Sequence, residues 1–109
     1  MADSIKTLAQ SAPLAATLTD IYTVPGATSA AISSIVICNR SATATAFRVA
    51  VAVAGAADNV KQYLCYDTPI YGNETKEITL GVAMAATDVL RVYATLATVS
   101  FNVFGVEVS

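Results

Sequence analysis

The chain has 109 residues, of which 55% are hydrophobic and only 13% are charged, against a usual charged share of about 25%. Its net charge of −2 argues against a nucleic-acid-binding protein, which needs a basic stripe to neutralise phosphates, and its six Lys and Arg residues form no cluster, so we expect no nucleic-acid partner. The length allows one domain, and so small a domain leaves part of its apolar content outside its core. That content is predicted to be either small exposed residues or surface that other subunits cover.

The first residues, 1–16, mix Ala, Ser and polar residues around the isolated apolar side chains of Ile5, Leu8 and Leu14. This pattern predicts a loose N-terminal arm, which a neighbouring subunit would order through those three side chains. A short amphipathic helix over 4–10 is the alternative, because Ile5 and Leu8 have i, i+3 spacing.

No membrane partner is expected from the sequence. The beginning of the chain lacks the long apolar core of a secretory signal. A membrane span needs about 20 mostly apolar residues in a row. The best window, 21–39, is broken by Pro25, Gly26 and several Ser and Thr.

From residue 17 onward, short runs rich in Val, Ile, Thr, Tyr and Phe alternate with turn residues, which is the pattern of β-strands. We predict about seven strands with turns every 8 to 12 residues, and this spacing is typical of an antiparallel β-sandwich or small jelly roll over 17–109. The predicted strands are 18–24, 30–38, 45–54, 62–67, 75–81, 88–95 and 98–108. One turn of helix is possible over the sequence GVAMAATD that precedes Val89.

The strand predicted at 45–54 has the clearest alternation. Its large side chains, from Phe47 to Val53, point one way and are predicted to form the core face. The opposite face carries Ala50 and Ala52, which another sheet or subunit could approach closely. We therefore predict an interface at these two alanines.

The strand predicted at 98–108 alternates regularly and then changes phase. Val99, Phe101 and Val103 are expected to point inward, but after Gly105 the apolar positions become Val106 and Val108. Because a glycine within a strand often marks a β-bulge, we predict a bulge at this point.

The residues that usually carry enzymatic chemistry are sparse. Histidine is absent, which removes the commonest general base and the commonest metal ligand. The carboxylates are scattered along the chain and fall mainly at predicted turns, where solvation explains them. We predict no catalytic, cofactor-binding or metal-binding residues, and so no enzyme and no cofactor.

Two cysteines and a group of tyrosines have more than one interpretation. Cys38 and Cys65 fall in predicted strands and are interpreted as buried thiols that pack in the core. A disulfide within or between subunits is the alternative, provided that the Cα atoms come within about 7 Å. Tyr63, Tyr66 and Tyr71 surround one predicted loop, where they form either packing contacts or an aromatic contact patch.

The order of several motifs resembles that of small structural proteins from the virions of tailed bacteriophages. The motifs are YTVP, SSIVICN, FRVAV, YLCYD, ITLGVAM, VLRVYA and FNVFGVEV, and they extend from residue 22 to 108. The size and the Ala and Thr content are similar to those of capsid decoration (cement) proteins. The resemblance implies a non-enzymatic virion protein, assembled in the host cytoplasm as a homotrimer or other homo-oligomer, that binds the major capsid protein. The alternative is a tail or fibre-associated subunit that binds tail proteins or the host surface.

Overall fold

A computed structural model describes residues 2–109 and confirms the predicted all-β sandwich. Two antiparallel sheets pack face to face, and the described chain contains no α-helix, only two single turns of 3-10 helix at Val53–Gly55 and Val60–Gln62. The strands are β1 (Asp3–Ser11), β2 (Thr19–Thr23), β3 (Ser29–Asn39), β4 (Thr45–Ala52), β5 (Tyr63–Ile70), β6 (Thr75–Ile78), β7 (Val82–Met84), β8 (Val89–Ala94) and β9 (Val99–Val108).

The first sheet has the strand order β1-β9-β3-β6, and β7 also pairs with β3 beside β6. The second sheet has the order β2-β8-β4-β5. The first and last strands of the sequence are neighbours, and the backbone N–H of Ala2 donates to the carbonyl of Ser109 at 2.8 Å. Both sheets are therefore built mainly from segments that are distant in sequence.

The core lies between the sheets and follows the alternation of the strands. Phe47 from the second sheet meets Phe101 from the first edge to face, with ring centroids 6.2 Å apart, and both are fully buried. Val99 and Val103 also point inward, as predicted for the last strand. Packing of the large side chains from both inner faces thus holds the two sheets together.

A buried polar residue holds three loops together at one end of the sandwich. Asn39, only 1% exposed, donates from Nδ2 to the carbonyls of Thr43 at 2.8 Å and Tyr71 at 3.1 Å. Its Oδ1 accepts from the N–H of Ser41 and from Oγ1 of Thr98. Since both donors and the acceptor are used, this buried amide is satisfied.

A charged cluster joins the sheets at the other end. Lys6 Nζ lies 2.6 Å from Glu107 Oε1, and the hydroxyl of Tyr22 in the second sheet donates to Oε2 of Glu107. The hydrogen bond from Lys6, and then that from Tyr22, lowers the pKa of Glu107. Burial, followed by the hydrogen bond to Glu107, raises the pKa of Tyr22.

The bulge predicted after Phe104 lies in other strands. β9 alternates without interruption, while its two neighbours shift register on either side of Phe104: at Leu8 in β1, between the partners of Phe104 and Val103, and at Ser33 in β3, between the partners of Gly105 and Phe104. Gly105 faces inward, where a Cβ would lie 2.2 Å from the carbonyl oxygen of Ala31. Glycine is therefore required here by the close approach of β3, and the assignment of a bulge to β9 was wrong.

The beginning of the chain also differs from the prediction. Residues 3–11 are not a loose arm and contain no helix over 4–10, because they form β1 and pair with β9 from Asp3 to Ser11, apart from the bulge at Leu8. Residues 82–84, which had been considered for a helical turn, form the short strand β7. Val53 is not a core residue but is 69% exposed beyond the end of β4.

A search of the described residues found no helix long and apolar enough to cross a membrane.

Candidate interaction surfaces

The outer face of the first sheet carries a row of apolar side chains that the strand register defines. Ile5 lies opposite Val106, Val106 opposite Ala31, and Ala31 opposite Ala83, so one row of uncharged side chains crosses four strands. Phe104 lies beside this row on β9. We call these five residues the outer strip.

The outer strip is open to solvent. Ile5 is 90% exposed, and the other large side chains of the strip are half-buried. Four of its members, together with neighbouring backbone, line an open groove of about 630 Å³. Because soluble monomers rarely leave extended apolar surface uncovered, the strip is a candidate contact surface.

The other half of the same face is polar, which limits the candidate surface to one end. There a second row runs from Gln10 through Asn102 and Val36 to Glu77. The amide of Gln10 donates to that of Asn102 at 2.8 Å. The two rows differ in composition although they cross the same sheet.

The sequence contained a signal for the outer strip that was misinterpreted. From the sequence, the change of phase after Gly105 is interpreted as a bulge in the last strand. In the structure Val106 and Val108 lie on the outer face, where they are half-buried, and the inner positions are Gly105 and Glu107. The phase change therefore marks the point in β9 where the apolar side chains move from the inner face to the outer face.

The three apolar residues of the predicted arm are separated by the fold. Leu8 packs against the core, because the bulge turns it and Ala9 to the same inner side. Its assignment as an interface residue is therefore corrected. Ile5 and Leu14 remain exposed, at 90% and 74%, and stay available for a contact.

The predicted interface at Ala50 and Ala52 is contradicted, because both side chains are fully buried within one chain. Residues 53–62, which we call the cover loop, fold back over this face of the second sheet. Arg91 lies opposite Ala50 and donates to the carbonyl of Ala56 at 2.8 Å. The buried carboxylate of Asp88 accepts from the N–H of Ala54 at 2.9 Å. The alanines are small because the chain itself covers them.

The two cysteines are free and half-buried, and they belong to different sheets. Cys38 lies on the outer side of β3, opposite Ser100. Cys65 packs against the core from β5, and burial raises the pKa of its thiol. The interpretation of buried thiols that pack in the core is therefore correct in part for Cys65 and wrong for Cys38, and the described chain has no disulfide between them.

The outer face of the second sheet carries an aromatic cluster around one arginine. The guanidinium carbon of Arg48 lies 4.2 Å from the ring centroids of both Tyr66 and Tyr93. Its Nε donates to Asp67 at 2.7 Å, and this hydrogen bond raises the pKa of Arg48. Tyr63 contacts Tyr66 edge to face at 4.9 Å. These are packing contacts of the kind that fix side chains on a sheet surface.

The predicted grouping of three tyrosines is only partly correct. Tyr63 and Tyr66 are in contact, but Tyr71 lies beyond the far end of β5, where its backbone N–H donates to Glu74 at 2.8 Å. Burial, and then the hydrogen bond to Asp58, raises the pKa of Tyr63. An aromatic contact patch would therefore consist of Tyr63, Tyr66 and Arg48.

The carboxylates act within the fold. Asp20, Asp67 and Glu107 each form an ion pair with a cation on a neighbouring strand. Among residues 2–109 no three Cys, Asp or Glu side chains lie close enough together to hold a metal ion.

The fold presents two candidate surfaces, the outer strip and the aromatic cluster, on opposite sides of the sandwich. Comparison of the chain with protein-family models, with curated proteins and with solved structures found no match.

Proposed function

We propose that the chain is a structural subunit that works by assembly, and specifically a capsid decoration protein of a tailed bacteriophage. The observation that carries the assembly role is the outer strip, an uncharged row across four strands that the chain itself leaves uncovered. The phage assignment is supported by the order of sequence motifs. No chemistry is required of such a protein, since burial of apolar surface against the capsid supplies the binding free energy.

The first experiment measures whether the protein belongs to a particle and in how many copies. Particles of a phage that encodes the chain are purified and analysed by quantitative mass spectrometry against the major capsid protein. A decoration protein is expected in a number comparable to that of the capsid subunits. Absence of the chain from the particles would reject the virion role.

A tail or fibre-associated subunit is the second candidate, favoured by the aromatic cluster, in which Tyr66 is 57% exposed. Tyrosine and arginine side chains are frequent at the centres of protein contacts. The same copy-number measurement separates the candidates, because a tail subunit would be present in far fewer copies than a capsid subunit.

A pair of variants tests the outer strip directly. Val106→Glu places a charge in the strip, and Ser100→Glu places the same charge on the same face of β9, within its polar half. We expect the first variant to lose binding to particles by at least about tenfold and the second to bind like the parent. Equal binding of both variants would remove the outer strip from the interface.

A further inference from the structure

β1 is the least protected edge of the two sheets. The other edge strands are short, at five residues in β2, four in β6 and three in β7, or are interrupted, as β5 is by Pro69 and by Asp67 with φ of 48°. β1 has nine residues and contains no proline. Open strands of this kind pair readily with a strand from another chain.

The backbone of β1 defines which groups face the open edge. Ala2 and Ser109 exchange two hydrogen bonds, at 2.8 and 3.0 Å, so they form a hydrogen-bonded pair. In an antiparallel ladder such pairs alternate with pairs whose N–H and C=O groups point away. It follows from the register that Asp3, Ile5 and Thr7 present three donors and three acceptors to the open edge. The bulge at Leu8 ends this regular run.

Because Ile5 is the middle residue of this run, the edge is complementary to itself. A twofold axis at Ile5 places it opposite Ile5 of the partner subunit, and places Asp3 opposite Thr7 of the partner subunit. All the outward groups of these residues then pair, giving six hydrogen bonds. An axis at Lys6 would bring two ammonium groups together, and an axis at Asp3 would bring two carboxylates together, and like charges directly opposite each other destabilise a sheet.

We propose that a second copy of this chain pairs with β1 in antiparallel register about a twofold axis at Ile5. The pairing continues the outer strip across the axis, so that the rows of the two subunits form one apolar band on a joined sheet. It packs the side chain of Ile5, which is 90% exposed in the single chain, beside Ile5 of the partner subunit. The inference deepens the proposed function by naming the partner of this edge, and it rests on the view that the protein acts by assembly.

Sedimentation of the isolated protein tests the dimer without any particle, so its failure is separate from failure of the virion role. We expect a monomer–dimer equilibrium at concentrations up to about 100 µM, where even weak dimers are populated. Ile5→Pro removes an outward N–H without touching the hydrogen bonds to β9, and it should weaken the dimer by at least about tenfold. Ile5→Thr keeps the N–H and the branched side chain, and it should still form the dimer.

The result that overturns the proposal is a parent protein that stays monomeric, or a dimer that survives Ile5→Pro. Circular dichroism of Ile5→Pro establishes that the variant is folded. If Ile5→Pro is not folded, the proposal is tested instead by cysteine cross-linking, which requires no proline substitution.

The register test uses a parent in which Cys38 and Cys65 are replaced by Ala. Paired Cα atoms about 5.5 Å apart lie within the range of a disulfide. Ile5→Cys should therefore oxidise to a covalent dimer, whereas Asp3→Cys alone should not. A mixture of Asp3→Cys and Thr7→Cys chains should give the heterodimer. Cross-linking of Asp3→Cys alone, or no cross-linking of Ile5→Cys, would refute the proposed register.

Discussion

The side chain of Asn39 joins three loops by hydrogen bonds, and its replacement tests how much these hydrogen bonds stabilise the fold. We expect Asn39→Ala to lower the free energy of unfolding by about 3 kcal/mol, because it removes four hydrogen bonds and leaves buried partners unsatisfied. Asn102→Ala is the matched control, since its hydrogen bond to Gln10 is exposed and its loss should cost less than about 0.5 kcal/mol. Urea unfolding measures both, and equal losses would contradict the role given to Asn39.

The two thiols are expected to react at different rates. Cys38 lies on the outer face of its sheet, whereas Cys65 packs against the core and has a raised pKa, which lowers the fraction of reactive thiolate. A small thiol reagent at neutral pH should therefore label Cys38 several times faster. Peptide mass spectrometry follows each site, and faster labelling of Cys65 would show that β5 opens in solution.

At the scale of elements, the cover loop explains why alanine is required on β4. We expect Ala50→Lys to lower the free energy of unfolding by more than about 3 kcal/mol, because the side chain has no room and no partner for its charge. Ala46→Lys lies on the same strand and face but is half-exposed, and should cost less than about 1 kcal/mol. A fully folded Ala50→Lys would mean that the cover loop moves away easily, and chemical denaturation distinguishes these outcomes.

β1 is expected to contribute to the stability of the single chain, unlike the loose arm predicted from the sequence. Deleting residues 1–11 removes one of the two strands that pair with β9 and uncovers the part of the core that Leu8 contacts. The point variant Leu8→Ala should lower the free energy of unfolding by about 1 to 2 kcal/mol, and the deletion should lower it further. Identical urea midpoints for the parent and the deletion would show that the strand is not part of the folding unit.

The missed elements have a common physical reason. β1 shows no alternation that a sequence pattern could detect, because nearly all its side chains are exposed on both faces and the bulge turns Leu8 and Ala9 to one side. The seven strands that the sequence does predict, among them the edge strands β2, β5 and β6, each turn one face toward the core, and this burial imposes a period of two. β1 lacks that constraint over most of its length.

The site was harder to predict than the fold. Alternation tells which residues share a face, but it does not tell whether solvent, a loop or a subunit covers that face. The alanines of β4 were assigned to an interface because the cover loop could not be foreseen. The phase change at Val106 is interpreted as a bulge in β9 because the register of β1 and β3 against β9 is not encoded in β9 alone.

At the scale of the whole molecule, Glu107 links the two sheets and makes stability depend on pH. Its pKa in the folded state lies below the ordinary value of 4.5, so its contribution is complete above that pH and is lost as the pH falls through the folded pKa. The difference in melting temperature between the parent and Glu107→Gln should therefore shrink between about pH 6 and pH 3. A difference that stays constant would show that the contacts of Glu107 do not involve its charge.

The pairing of β1 with β9 also governs the order in which the chain can fold. Among the described strands β1 is synthesised before all the others, whereas β9, its partner in the first sheet, is synthesised after all the others, so the first sheet cannot close until β9 has left the ribosome. Long-range strand pairing of this kind is slow, typically on the scale of milliseconds to seconds. Until that moment β1 is an unpaired strand with free hydrogen-bonding groups, and identical nascent chains on one message are its nearest competitors for pairing.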